Sequence, residues 1–151
     1  MLFEANWFYI KAPLQADVTG WEQITTPEQL AQWETQWKAS GSSTERQMFL
    51  PALLENKTIS FWGRRSGNSY DAGFIGNRTG RSTGLSNFFA PDMSGHLAAQ
   101  MATLLQRWSG VLPVLGYAHG PFLKAVLSVG FERLGNLTLW FKSHSESGSF
   151  Q

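Results

Sequence analysis

The chain has 151 residues, the size of one ordinary domain, and a domain of that length can bury roughly 70% of its unfolded surface without disulfides or metals to staple it. Aromatic residues make up 14% and charged residues only 15%, the reverse of a disordered composition. A net charge of +1 offers no basic excess for phosphates and argues against a nucleic-acid partner, and the lack of cysteine excludes disulfides, thiolate metal sites and cysteine nucleophiles.

Residues 7–10 are aromatic and β-branched and are closed by Pro13, so they read as a short strand near a sheet edge. Residues 21–25 (WEQIT) form a second short run. Thr26-Pro27-Glu28-Gln29 is a helix start: Thr26 caps, Pro27 suits the first helical position, and Gln29 completes a capping box. Leu30, Trp33 and Trp37 then share one helical face, and Ser40-Gly41 ends it. Residues 41–46 are polar and read as a surface loop, and residues 49–54 suit a second short helix.

Three strands follow, over residues 58–65, 69–77 and 82–90, joined by the turn chemistry of Ser66-Gly67-Asn68 and Arg78-Thr79-Gly80. They predict an antiparallel meander. A helix over residues 95–109 carries Leu97, Met101, Leu104, Leu105 and Trp108 on one apolar stripe and stops at Gly110. Residues 112–117 (LPVLGY) read as a buried strand lying parallel to the last meander strand, because the preceding helix supplies the crossover. Gly120-Pro121 opens a further helix with Phe122, Ala125, Val126 and Val129 on its inner side, and Gly130 ends it. Residues 131–142 form a final strand pair or one bent strand. The reading is therefore a single mixed α/β domain over residues 1–142, with a polar tail at 143–151.

The start of the chain lacks a basic region and a small-residue cleavage site, and no run of about 18 apolar residues exists, so a cytoplasmic protein without a membrane partner is expected. The histidines at 96, 119 and 144 lack the spacing of a metal site, and none is expected. No phosphate loop of the G-x-x-x-x-G-K-[ST] kind and no nucleophile elbow is present. The informative segment is residues 88–99 (FFAPDMSGHLAA), where a strand feeds a short loop with Gly95 and the loop opens a helix. Free amides at such a helix start suit an anion; an ordinary turn capped by Ser94 or Asp92 is the alternative.

This order of segments resembles the GNAT superfamily of acyl-CoA-dependent N-acetyltransferases, over about residues 21–142. Residues 122–131 (FLKAVLSVGF) are similar to the family's A-x-x-L-Y-x-x-x-G-F ending, with Gly130-Phe131 in place, and residues 84–91 (GLSNFFAP) are similar to its fourth strand. Residues 77–80 (NRTG), 84–92 (GLSNFFAPD) and 112–118 (LPVLGYA) also resemble segments of a small GNAT-like bacterial group. The family's pyrophosphate loop, Q/R-x-x-G-x-G/A, falls on Ser94, Leu97 and Ala99; only Ala99 agrees, and Gly95 matches a further glycine of many members. The family's tyrosine general acid falls on Val126 and its cofactor-contacting asparagine on His119.

The resemblance implies a mixed sheet with a splayed parallel pair and a terminal hairpin. It also implies transfer of an acetyl group from acetyl-CoA to an amine by direct attack, the acceptor being a small molecule or a protein N-terminus. A non-catalytic binding or dimerisation protein of the same fold, homodimer included, is the other reading. In the enzymatic reading Tyr117 and His119 are the candidate catalytic groups. Phe88, Phe89, Ala90, Ser94, Gly95, His96, Leu97 and His119 would hold the cofactor. Trp33 and Asn87 are either acceptor-pocket residues or structural ones.

Overall fold

The structure, a computed structural model, describes residues 2–40, 47–91, 94–118 and 120–140, together with the side chains of these residues except those of 2–5 and 134–140. In chain order the elements are β1 (Leu2–Ile10), β2 (Trp21–Gln23), α1 (Pro27–Ala39), β3 (Ile59–Ser66), β4 (Ser69–Arg78), β5 (Thr83–Phe89), α2 (Gly95–Ser109), β6 (Val114–Ala118), α3 (Gly120–Ser128) and β7 (Glu132–Trp140). The strands form one sheet in the order β2-β3-β4-β5-β6-β1-β7, in which only β5 and β6 run parallel.

Local chemistry explains most of these elements. Thr26 and Gln29 form the reciprocal capping box, with the Gln29 amide donating to Thr26 Oγ1 at 3.2 Å. Gly110 closes α2 in the left-handed conformation, φ +77°. Residues 49–54, expected to be helical, give only a single 3-10 turn at Pro51–Glu55. Five residues are too few to build a stable helix, and no side chain caps this one.

Helices α2 and α3 cover one face of the sheet, burying Leu97, Met101, Leu105, Phe122 and Val126 against Phe8, Phe74, Leu85 and Val114. Trp108 and Val129, expected to be buried with them, are half-exposed; the Trp108 ring instead carries the Arg78 guanidinium at 5.0 Å. Helix α1 covers the other face, over β2 to β5 only, where Trp33 packs edge-on to Phe49, Phe61 and Phe89.

The N-terminal strand corrects two expectations. It is neither short nor at an edge: β1 lies between β6 and β7 and pairs antiparallel with both. Pro13 lies beyond its last rung and therefore removes no ladder bond. The C-terminal strand forms no hairpin among the described residues, because β1 takes the place beside it from Leu2↔Trp140 to Tyr9↔Glu132. The link from β1 to β2 is pinned along α2 by a row of buried polar side chains. Gln106 accepts from the Leu14 amide at 2.8 Å, Thr103 accepts from that of Ala16 at 3.1 Å, and Gln100 donates to the Asp17 carbonyl at 2.8 Å.

Candidate functional site

Strand β5 starts as a neighbour of β6 and then leaves it. The two pair only at Thr83↔Val114 and Gly84↔Leu115. On its other side β5 pairs with β4, and there three steps of β5, Ser86 to Phe89, oppose two steps of β4, Gly73 to Ile75. That extra residue is a bulge, and Asn87 within it has φ +51°, a conformation that asparagine tolerates better than most residues. The bulge also reverses the facing of the strand: Leu85 packs with the α2 core, whereas Phe89 packs with the α1 core.

Where the pairing ends, a cleft of about 420 Å³ opens, lined by Leu85, Ser86, Asn87, Phe88 and Tyr117. The backbone groups of β5 beyond Gly84 have no β6 rung on this side. Gly116 keeps the base of the gap tight, since a β-carbon there would lie 2.6 Å from the Phe8 ring. Three of the residues singled out from the sequence therefore meet in one place: Asn87, Phe88 and Tyr117. Phe88 stacks on Phe122 of α3 at 4.1 Å, which fixes that wall.

The other candidates lie elsewhere. The Trp33 side chain is fully buried and its indole N–H donates to the Trp62 carbonyl at 2.8 Å, so it offers no surface to a substrate. Phe89 and Leu97 are core side chains at 3% and 2% exposure. Ala90 faces a separate hollow beside Asp71 and Ser40. His96 is exposed on α2, with its ring Nε2 3.3 Å from the Gln100 amide nitrogen. His119 lies outside the described residues.

Ser94 is the N-cap of α2, its hydroxyl accepting from the Leu97 amide at 3.1 Å and its carbonyl from the Ala98 amide. Gly95 has a structural reason of its own. A β-carbon at this position would lie 2.6 Å from Ser128 Oγ and 3.1 Å from a Val129 methyl, so glycine is what lets the end of α3 approach the first turn of α2. A bulky substitution there would disturb this packing and is no clean probe of ligand binding. Leu97, which replaces a loop glycine of the family, turns into the core and does not stand over the first turn. Val126 is fully buried in the same core.

Two carboxylates hold charge away from the cleft. Glu22 accepts from Tyr70 at 2.6 Å, from Gln29 at 3.0 Å and pairs with Arg65 at 3.2 Å. The tyrosine hydrogen bond, more than the arginine, keeps its carboxyl below the usual range, and the same contact with burial pushes Tyr70 up. Glu34 is 5% exposed; burial pushes its carboxyl up, but the amides of Met48 and Phe49 and the Lys38 ammonium outweigh that and hold it low. Among the described residues no group of three metal-ligating side chains comes together.

Sequence reasoning missed Trp7 and Ser86. Trp7 is 39% exposed and packs edge-on to Tyr117 at 5.3 Å, its cross-strand partner. Its exposure on an interior strand was not legible because β1 read as an edge.

No family model and no curated protein matches this sequence. Solved structures do. An acetyltransferase from the GNAT family of Colwellia psychrerythraea superposes with a TM-score of 0.71 at 13% identity, over 91% of this chain and 56% of that one. A protein from the GNAT family of Novosphingobium aromaticivorans gives 0.67 at 12% identity, over 91% and 63%. A functionally unknown conserved protein from Staphylococcus epidermidis gives 0.67 at 9% identity, over 91% and 60%. The chain thus spans between 56% and 63% of the length of these three structures. At such identities the likeness is one of fold: a mixed α/β sheet with one parallel pair and flanking helices, as in GNAT acetyltransferases.

Proposed function

We propose that the protein is an acyl-CoA-dependent N-acetyltransferase that works on an amine acceptor. The observation that carries this reading is the gap between β5 and β6, a cleft with an unpaired strand edge on one wall and Tyr117 on the other. Ligands of open α/β sheets sit in such gaps.

The donor set fits a long, amide-bearing thioester. The unpaired peptide groups of β5 beyond Gly84 can hydrogen-bond an extended amide chain, and the amides of Gly95 and His96 precede those already taken at the start of α2 and suit a pyrophosphate. When bound, acetyl-CoA supplies an activated carbonyl: the amine nitrogen forms a C–N bond to it, the C–S bond breaks, the electron pair leaves on sulfur, and the proton lost by nitrogen passes to sulfur or water. The chain contributes alignment, worth several kcal/mol, and β5 peptide N–H groups near residues 87–90 to bind the developing oxyanion. In this reading Tyr117 would give its proton to the leaving sulfur and regain one from the amine through water, since Val126 has no acidic proton and is sealed in the core. His119 is a second candidate for that role. The cytoplasm, where acyl-CoA is made and used, is the proposed location, and no described helix is long and apolar enough to cross a membrane.

One observation favours the alternative of a non-catalytic ligand-binding protein: the buried valine where the family carries its general acid, next to a loop without its usual arginine or glutamine. Calorimetry with acetyl-CoA, followed by an amine panel, decides. Binding should raise stability by about 2.7 kcal/mol at a hundredfold excess over Kd. A flat titration at millimolar acetyl-CoA overturns the acyl-CoA reading, and binding without turnover of any amine promotes the non-catalytic one.

A further inference from the structure

Helix α1 stops short of the outer strands. It packs on β4 and reaches β5, whereas the helices on β6 and β1 are α2 and α3, on the opposite face. The ladder registers place Gly84, Leu115, Tyr117, Trp7 and Tyr9 together on the face that α1 leaves open. Tyr117 is the residue of this row that lines the cleft, and the half-exposed Trp7 ring stands edge-on to it. Across the opening stands Phe88, held by its stack on Phe122. The polar atoms between these rings are neutral, the Ser86 hydroxyl and the Asn87 amide. Among the described residues, Lys11 lies one row away, 6.0 Å from the Tyr9 ring.

Resting on the acyl-transfer reading, we infer that the acceptor is a primary amine carried on an aromatic ring system, an arylalkylamine-like molecule, with its ring against Trp7 and Tyr117 and its polar end toward Ser86 and Asn87. Aromatic walls reward a flat ring with both burial and edge or offset stacking, which a linear polyamine or a peptide N-terminus does not recover.

The test is calorimetry of 2-phenylethylamine, n-butylamine and spermidine, with and without coenzyme A, on the full chain and on Trp7→Leu and Trp7→Phe. Leucine keeps an apolar, strand-compatible side chain and phenylalanine restores a ring, so a fold defect is separated from the loss of the aromatic wall. The phenyl amine should bind about tenfold more tightly than n-butylamine, the preference should fall to near parity in Trp7→Leu, and Trp7→Phe should recover most of it. Equal binding of the two monoamines, tighter binding of spermidine, or a preference that survives in Trp7→Leu overturns the inference. Failure of coenzyme A to bind overturns the acyl-transfer reading separately, because the ring preference is also read without it. In turnover, Trp7→Leu should raise KM for the phenyl amine while leaving kcat and the affinity for coenzyme A nearly unchanged.

Discussion

The sheet has two halves built on different terms. Over β3 to β5 it carries helices on both faces, α1 on one side and α2 on the other, and Phe61, Tyr70 and Phe89 of the sheet are core with Trp33 of α1, all at 3% exposure or less. Among the described residues, β6 and β1 carry helices on one face only, and Trp7 and Tyr117 on the other face stand beside the cleft, Trp7 at 39% exposure. The same residue types thus hold the fold together in one half and stay exposed beside the cleft in the other. What separates them is the extent of a single helix, and the cleft lies where its cover ends.

The largest break in this comparison should come from the covered half. Trp33→Ala removes a fully buried indole and leaves the Trp62 carbonyl without its donor, and should cost about 3–5 kcal/mol in chemical denaturation. A cost below about 1 kcal/mol would mean that α1 is loosely held and that the two halves are not so different.

Next should come Gly73→Ala. A β-carbon there would lie 2.7 Å from the Phe89 ring and also meet Trp33, so overpacking should cost about 1–3 kcal/mol. The loss should appear in thermal melts without a change in ligand affinity at the cleft.

Glu34→Gln tests how the segment after α1 is tied down, since Glu34 accepts from the Met48 amide at 2.8 Å and the Phe49 amide at 3.0 Å. The expected loss at neutral pH is about 1–3 kcal/mol. Because the folded carboxyl is held below its ordinary value near 4.5, its contribution is complete above that pH and fades as pH falls through the lower folded value. The melting-temperature gap between variant and parent should therefore be constant from pH 7 to about 5 and narrow below it. A gap that widens in acid would show that the ionised form is not the stabilising one.

The smallest stability effect should be that of Trp7→Leu in the open half, below about 1.5 kcal/mol, the worth of its edge-on contact with Tyr117. Its consequence belongs to ligand binding instead. Equal destabilisation by Trp7→Leu and Trp33→Ala would erase the distinction between the halves.

Much of this architecture was legible in the residues. The capping box at Thr26 and Gln29, the apolar stripe from Leu97 to Leu105 and the stop at Gly110 are local signals, and local hydrogen bonds and helical periodicity realise them as read. The meander and the parallel strand after α2 followed from turn chemistry and from the need for a crossover. Asn87, Phe88 and Tyr117 were also named from sequence, because the family resemblance placed a ligand gap at those strand ends.

Tertiary structure alone decided the rest, for reasons of non-local pairing. Nothing within residues 2–10 states that their partners are 104 or more positions away, so β1 read as an edge and the last segment as a strand pair or one bent strand. Gly95 carries the same local pattern whether it cradles a phosphate or admits a neighbouring helix, and only the fold shows that a β-carbon there would meet Ser128. Trp33 and Trp7 are alike as residues. One became core and the other stayed exposed beside Tyr117 because α1 packs on β4 and β5 and not on β6 and β1.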